Sequence, residues 1–206
     1  MTATFDDYLW FEQMFSDLSE AYCITLVRDV TPAGLLDRFG VVGDRVDRIG
    51  VGELVEPSYA TWKAHDGAVQ LVAATAVGDW ALAVESNGYL GVTEKLVGRL
   101  SAGTRLVSHF RNVNAVDRFY LIDDGQIRLY FEPLFAWHRS GCDADGFIEL
   151  MQAVGLPMDQ DGDIGDPGAA AFALAEAITG IRLTPDLLQR STFTCGEACI
   201  PGRTHG

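Results

Sequence analysis

The stretch from Trp80 to Pro133 constrains the fold of this chain more than any other part of its sequence. Apolar, β-branched segments alternate there with short polar turns, and Asp124-Gly125 is a dipeptide typical of tight β-hairpins. Just before this stretch, Gly78-Asp79 separates the apolar segments 69–77 and 80–85 by only two residues. Because strands joined by such short links can pair only antiparallel, the sequence predicts an antiparallel meander sheet.

Helical patterns flank the predicted sheet in the sequence. Thr31-Pro32 is typical of a helix start, with an N-cap followed by proline at the first helical position. After the sheet, residues 143–154 and 167–179 have the apolar spacing of two further helices. This order predicts an α+β fold with the helices packed mainly on one face of the sheet. Six residues on the apolar phase of these elements are predicted to be buried: Trp80, Phe119, Leu121, Phe131, Phe147 and Phe172.

Three segments are predicted to lack regular structure, apart from one short helix in the first. Glycines, a proline and scattered acids interrupt residues 41–68. The acidic segment 159–166 resembles a solvated linker, because its spacing does not match that of a calcium loop. Residues 190–206 are predicted to be a flexible C-terminal tail. The 206 residues are therefore expected to form a single domain that ends in this tail.

The net charge of the chain indicates which classes of molecule the protein can bind. The chain has 15 Lys+Arg against 29 Asp+Glu, which gives a net charge of −14 and an isoelectric point near 4.5. Phosphate binding requires clustered basic residues, so we expect neither nucleic acid nor an anionic membrane as partner. The acidity favours a basic protein partner, although the same charge can serve solubility alone.

The N-terminal segment indicates where in the cell the protein is expected to be. It reads MTATFDDYLWFEQMF, which contains acids and none of the basic residues that begin a signal peptide. No apolar run of the sequence reaches the ~18 residues that a membrane-spanning helix needs. We therefore expect a cytoplasmic protein whose thiols are largely reduced.

Several short strings distributed along the chain are distinctive. They are AYCITLVR at 21–28 followed by Thr31-Pro32, VESNGY at 84–89 followed by Gly91, NVNA at 112–115, FEPLF at 131–135, and ITGIRLT at 178–184. In these strings the chain resembles an actinobacterial family of uncharacterised proteins, domain of unknown function 6461, from about Glu20 to Gly196. The resemblance implies a single, soluble, bacterial domain. It carries over no catalytic residue.

The four cysteines and four histidines raise the question of a metal site. His138 and Cys142 lie four residues apart, and so do Cys195 and Cys199. Structural zinc takes four nitrogen or sulfur ligands, commonly from two close pairs, so these residues are the metal candidates of the chain. The wide spacing of the second pair and its terminal position favour unliganded thiols instead. We expect no metal and no cofactor.

One set of polar residues gathers near the predicted strand ends. It consists of Glu85, Asn87, Arg111, Asn112, Asn114 and Glu132. His109 stands beside Arg111 in a predicted strand, with Asp117 and Glu132 available on neighbouring strands, and a histidine between acids and an arginine can be a general base. The alternative is an outward or structural histidine, which is the more common role of a lone histidine in a strand. For the asparagines the alternative is turn chemistry, because Asn-Gly and Asn-x-Asn sequences are typical of bends.

No catalytic signature of the sequence is complete: a G-x-S-x-G elbow and a phosphate-binding loop are both missing. We therefore expect a non-enzymatic protein-interaction domain, such as one half of a bacterial conflict or regulatory pair, that binds a basic partner through an acidic surface. The alternative is a small-molecule-binding or hydrolytic domain with a pocket at the strand ends around Glu85 and Arg111. The oligomeric state is left open.

Overall fold

The computed structural model describes residues 2–160 and 165–203. Its strands are β1 (Tyr22–Arg28), β2 (Val41–Ile49), β3 (Val69–Val77), β4 (Trp80–Ser86), β5 (Arg105–Arg111), β6 (Asp117–Asp123), β7 (Gln126–Phe131), β8 (Arg139–Ser140) and β9 (Thr192–Cys199). Its helices are α1 (Trp10–Met14), α2 (Ser16–Ser19), α3 (Pro32–Phe39), α4 (Val55–Ala64), α5 (Glu94–Leu100), α6 (Ile148–Val154), α7 (Pro167–Thr179) and α8 (Pro185–Arg190). Five 3-10 turns span Phe5–Tyr8, Val51–Leu54, Leu90–Val92, Pro133–Phe135 and Ala144–Phe147.

The strands form one nine-stranded antiparallel sheet in the order β2-β9-β3-β4-β1-β5-β6-β7-β8. The predicted hairpins are confirmed: β3 pairs with β4 across Gly78-Asp79, and β6 pairs with β7 across Asp124-Gly125. Asp124 and Gly125 both have positive φ angles, of 45° and 79°, as a tight hairpin turn with the right twist requires. The α+β fold predicted from the sequence is confirmed.

The sheet is not a pure meander, because β1 lies between β4 and β5 and its pairing brings distant segments together. The central strands are buried on both sides; Ala81, Leu82, Ala83 and Val84 of β4 are all buried. A strand buried on both faces requires a layer on each, and the structure has two hydrophobic clusters.

Most helices lie on one face, which we call the α7 face. Tyr22, Val84 and Leu121 are among the strand residues of this face, and α6 and α7 both cover it, as predicted for residues 143–179. The opposite face, which we call the α3 face, includes Cys23 and Ala83 and is covered by α3 and α5. These two helices are the exceptions to the packing on one face.

The core prediction is confirmed for five of its six residues. The side chains of Trp80, Phe119, Leu121, Phe131 and Phe172 are buried. Phe147 is partly buried and packs at the edge of the cluster on the α7 face, because it ends a 3-10 turn rather than lying within a helix.

The structure corrects two expectations about irregular segments. Residues 41–68 contain β2 and α4, which is more regular structure than the glycines suggest. Residues 190–199 are not a flexible tail, because β9 lies between β2 and β3 and buries Phe193, Cys195 and Ala198. Pairing with strands far away in sequence stabilises β9. The residue pattern of 190–199 alone cannot predict this pairing, because it contains no information about distant strands. Residues 204–206, and 161–164 of the acidic linker, lie outside the described residues.

Candidate functional site

A cleft of about 710 Å³ opens between the N-terminal segment and the start of α7. Four parts of the chain line this N-terminal cleft: the segment from residue 8 to residue 20, the adjoining ends of β1 and β5, residues 112–115 of the loop after β5, and residues 165–172. The cleft lies on the α7 face, since Phe11, Tyr22 and Phe172 from its lining belong to that cluster.

Packed aromatic rings form the floor of the N-terminal cleft. The ring centroids of Phe11 and Phe172 are 4.7 Å apart, and those of Tyr22 and Phe172 are 5.6 Å apart. The Tyr8 hydroxyl donates to Glu176 at 2.8 Å, and Arg182 donates to Asp7 at 2.9 Å. These contacts hold the N-terminal segment against α7 and the residues that follow it, and therefore give the cleft a fixed wall.

The charge of the cleft is negative. Its lining includes three carboxylates, from Glu12, Glu20 and Asp166, and one guanidinium, from Arg111. The Arg111 guanidinium lies 3.6 Å from the Asp117 carboxylate, which offsets its charge. Glu12 and Glu20 are exposed and make no ion pair with a described residue. Unpaired carboxylates around a concave apolar floor attract cations.

A chain of hydrogen bonds lies beneath the floor. The His109 Nε2 atom is 2.7 Å from the Asp117 Oδ1 atom, and the His109 Nδ1 atom is 3.3 Å from the Tyr22 hydroxyl. A carboxylate only accepts, so Nε2 donates, and in the neutral ring Nδ1 accepts from the Tyr22 hydroxyl. Burial, and secondly the Asp117 charge, raise the pKa of Tyr22 well above its usual range. Both ring nitrogens are therefore engaged, and His109 orients Tyr22 rather than facing the cleft.

The structure divides the predicted polar set between the two faces. Tyr22 pairs in register with Arg111, while its neighbour Cys23 pairs with Glu85. Successive residues of a strand point to opposite faces, so Glu85 and Arg111 are separated by the sheet. The predicted pocket around Glu85 and Arg111 is therefore not formed, and Arg111 instead lines the N-terminal cleft.

Of the three asparagines in the predicted set, Asn112 closes a loop and also lines the cleft, whereas Asn87 and Asn114 lie outside the cleft. The Asn112 Oδ1 atom accepts from the backbone amides of Asn114 and Val116 at 2.9 and 3.0 Å, so it closes the loop between β5 and β6. Asn112 also lines the cleft, whereas Asn114 is exposed and does not. Asn87 is exposed with a positive φ of 53°, as a turn residue. Glu132 is partly buried and is not part of the cleft lining.

Glu85 holds a turn in place on the α3 face. Its carboxylate is buried and accepts from the backbone amides of Leu90 and Gly91 at 2.7 and 2.8 Å. Burial raises the pKa of Glu85 to about 7, and these two hydrogen bonds act in the opposite direction. The carboxylate thus connects β4 to the 3-10 turn Leu90–Val92, which is a structural role.

Gly91 allows this turn to lie close to the sheet. A Cβ atom at this position would collide with the Thr25 hydroxyl and lie 2.9 Å from the Cys23 Sγ atom. We expect Gly91→Ala to lower the free energy of unfolding by about 1–3 kcal/mol, as overpacking of a core does. Gly98→Ala in α5 is the matched control, since a Cβ there meets open space, and it should stabilise by about 0.5–1 kcal/mol. Urea denaturation of both variants tests this, and equal changes would contradict it.

The metal candidates are not brought together. Cys195 and Cys199 lie four residues apart on β9, about 13 Å along an extended strand, which is too far for a disulfide or a shared ion. Burial raises the pKa of Cys195 to about 11, so its thiol stays protonated. His138 and Cys142 flank β8, at the other end of the strand order. In the described ranges, no group of three or more His, Cys, Asp or Glu residues is arranged to hold a metal ion.

Most residues of the N-terminal cleft were not among those predicted. Asp166 comes from the segment interpreted as a solvated linker and Phe172 from the predicted core, whereas no role was predicted for Glu12, Glu20 or Tyr22. One signal was present: residues 1–27 contain five acids and no lysine or arginine. Such an imbalance shows that one surface is acidic but not that it is concave.

The chain is thus an α+β domain with a nine-stranded antiparallel sheet and an acidic cleft. A family model described as "Family of unknown function (DUF6461)" matches residues 1–202, and the chain belongs to this family. No significant match is found among curated proteins or among solved structures. In the part of the chain that is described, no helix has both the length and the apolar character to cross a membrane.

Proposed function

We propose that this protein binds a basic partner protein and that the N-terminal cleft receives an arginine or lysine side chain of that partner. The observation that carries the proposal is the composition of the cleft: three carboxylates around an aromatic floor, with one guanidinium that Asp117 already offsets. The protein would act in the cytoplasm as one half of a regulatory or conflict pair.

The geometry of the cleft supports a cationic side chain as the occupant. A guanidinium donates up to five hydrogen bonds in one plane and pairs with carboxylates in a bidentate manner. Exposed Glu12 and Glu20 can supply such acceptors without losing an existing ion pair. The face of an aromatic ring attracts the same cation, and the floor of the cleft contains Phe11, Tyr22 and Phe172.

The overall charge supports a protein rather than a polyanion as the partner. A net charge of −14 accelerates encounter with a basic surface and repels nucleic acid. The acidic wall extends beyond the cleft, because exposed Asp6 and Asp17 belong to the same N-terminal segment. A partner can therefore place one side chain in the cleft and further basic residues along the segment.

A second candidate function is favoured by the buried chain of Asp117, His109 and Tyr22. This arrangement fixes the ring of Tyr22 in the floor of the cleft and keeps its hydroxyl protonated beneath it, and a rigid aromatic floor is typical of a small-molecule site. Free L-arginine and a hexa-arginine peptide separate the two candidates. A side-chain receptor should bind the peptide at least about tenfold more tightly, since several basic residues contribute. Equal affinities that both fall in Tyr22→Phe would favour the small-molecule site instead.

The charge of the cleft provides the direct test of partner binding. We expect Glu12→Lys/Glu20→Lys to raise the dissociation constant for hexa-arginine about tenfold or more, because two attractions become repulsions. Titration calorimetry at low ionic strength measures this constant. The affinity of the unaltered protein should also fall as salt rises, since exposed charges are screened.

The matched control is Glu53→Lys/Glu149→Lys. It changes the net charge by the same amount at two exposed carboxylates that do not line the cleft. We expect its dissociation constant to stay within about threefold of that of the unaltered protein. Equal weakening in the two double variants would show that overall charge, and not the cleft, determines binding, and would refute the proposal.

A further inference from the structure

A second cavity, of about 450 Å³, opens on the α3 face of the sheet. Buried Val92 and Phe110 line it, and both belong to the hydrophobic cluster of this face. Its other lining residues come from the segments 89–95 and 112–118 and from Pro201, which follows β9. Pockets of about 300–1,000 Å³ hold small organic molecules, and this cavity, which we call the Arg118 pocket, falls within that range.

Two basic side chains without an acidic partner line the Arg118 pocket. Arg118 and Lys95 make no ion pair with a residue of the described ranges. Acids outnumber bases in this chain by 29 to 15, and other arginines such as Arg105 and Arg139 pair with carboxylates. Exposed Glu94 is the one carboxylate that the described chain contributes to the lining. The pocket therefore has one positive charge in excess.

The pairing of β5 with β6 places Arg118 beside the apolar part of the pocket. Arg118 lies directly opposite Phe110, so the two side chains share the α3 face. The Arg118 Nε atom is buried and has no hydrogen-bond partner in the described chain. A buried donor without an acceptor costs free energy, and an anion that pairs with Nε and a terminal nitrogen would remove this cost. Because the side chain is only partly buried, it can turn toward such a ligand.

Hydrogen bonds hold both walls of the Arg118 pocket in place. The Thr93 hydroxyl donates to the carbonyl oxygen of Tyr89 at 2.8 Å and fixes the wall that precedes α5. On the other side, Asn112 closes the loop after β5 with its Oδ1 atom, and its NH2 group donates to no described residue. A ligand would therefore find a preformed site with a free amide donor, and little ordering would oppose its binding.

The lining of the Arg118 pocket is complementary to an aromatic carboxylate. A guanidinium pairs with a carboxylate through two parallel hydrogen bonds, and the Lys95 ammonium adds a further donor. The single excess positive charge matches a monoanion, whereas a phosphate monoester, with a charge of about −1.5 to −2, would make the occupied pocket negative. Val92, Phe110 and the ring of Tyr89 supply the apolar surface that a flat ring needs.

We propose that the Arg118 pocket binds a small aromatic carboxylate, with the carboxylate paired to Arg118 and Lys95 and the ring against Phe110 and Tyr89. The pocket and the N-terminal cleft lie on opposite faces of the sheet and have only Asn112 in common among their described lining residues. No carboxylate of the cleft lines the pocket, so this inference does not depend on the proposed function.

The test compares two probes that share a ring. Indole-3-acetate carries a carboxylate, and indole-3-ethanol carries a neutral hydroxyl in its place. We expect titration calorimetry to give a dissociation constant of about 1 mM or lower for indole-3-acetate, at least about tenfold lower than that for indole-3-ethanol. Arg118→Gln should raise the constant for indole-3-acetate about tenfold and leave that for indole-3-ethanol within about threefold.

The matched control is Lys63→Gln, which removes one positive charge at an exposed position outside the pocket. It should leave the dissociation constant for indole-3-acetate within about twofold of that of the unaltered protein. Circular dichroism melting curves show whether each variant is folded. Should Arg118→Gln fail to fold, Lys95→Gln at an exposed position replaces it, with an expected weakening of about threefold or more.

Three results would overturn the proposal. One is the absence of saturable binding at up to about 5 mM indole-3-acetate. Another is equal affinity for the two probes, or equal weakening by Arg118→Gln and Lys63→Gln, because the pocket would then not select the carboxylate. The third is tighter binding of indoxyl phosphate, which has the same ring, since the site would then prefer a phosphate dianion.

Discussion

Replacing Phe131 with alanine is expected to lower the free energy of unfolding by about 3–5 kcal/mol, through lost apolar burial and the cavity left behind. Phe131 is fully buried and lies opposite Phe119 in the pairing of β6 and β7, with their ring centroids 5.0 Å apart. Strands on both sides of this position hold the backbone, so the site cannot collapse freely. Urea denaturation with a constant slope measures the loss.

Phe147→Ala is the control for this prediction. Phe147 is partly buried at the edge of the same cluster, so its truncation removes less apolar contact and allows more relaxation. We expect a loss of less than about 2 kcal/mol. Equal losses for the two variants, or an unchanged midpoint in Phe131→Ala, would mean that the register of β6 and β7 is not the one described.

The second large effect concerns the dependence of stability on pH. The folded protein should lose about 3 kcal/mol of stability between pH 5 and pH 8 through Glu85 alone. Burial raises the pKa of Glu85 to about 7, from 4.5 in the unfolded chain. Between these values the folded state retains a proton that the unfolded state releases. The free energy of unfolding therefore falls as pH rises, and the loss is complete above pH 7.

Glu85→Gln removes this titration and isolates its contribution. The variant should be less stable at pH 5, because the NH2 group of glutamine cannot accept from a backbone amide, whereas both oxygens of the protonated carboxyl keep acceptor capacity toward Leu90 and Gly91. Its stability should nevertheless change less with pH than that of the unaltered protein. Asp123, whose pKa is lowered by Arg105, loses its stabilising effect only at more acidic pH and does not affect this window.

The matched control for Glu85 is Glu149→Gln, at an exposed position of α6. Its profile of unfolding free energy against pH should run parallel to that of the unaltered protein. If the Glu85→Gln profile is parallel as well, the buried carboxylate does not titrate near neutral pH, and the account of this cluster is wrong.

Local signals in the sequence were sufficient for the hairpins and for most of the core. Asp124-Gly125 and Gly78-Asp79 favour tight turns because these residue types readily adopt the positive φ angles that such turns need. This preference is a property of the residues themselves. Phe119, Phe131 and Phe172 are buried because each lies on the apolar phase of its element. Such features depend on neighbours within a few residues and can therefore be predicted without the fold.

Features that depend on distant segments could not be predicted in this way. β9 is stable because it lies between β2 and β3, and its own sequence, TFTCGEAC, contains small and polar residues that resemble a tail. The separation of Glu85 from Arg111 follows from the register of β1, in which Cys23 and Tyr22 point to opposite faces. The N-terminal cleft unites Glu20 with Asp166, and only the packing of α7 brings these residues together.

The central claim is that the N-terminal cleft binds a basic side chain, and mapping of amide chemical shifts during titration with hexa-arginine tests it most directly. We expect the largest shifts at residues that line the cleft, with Glu12, Glu20, Arg111 and Gly168 among them. Small shifts are expected at Glu53 and Glu149, which are exposed acids outside it. Shifts distributed over all exposed acids, with the cleft residues no larger than the others, would contradict the claim.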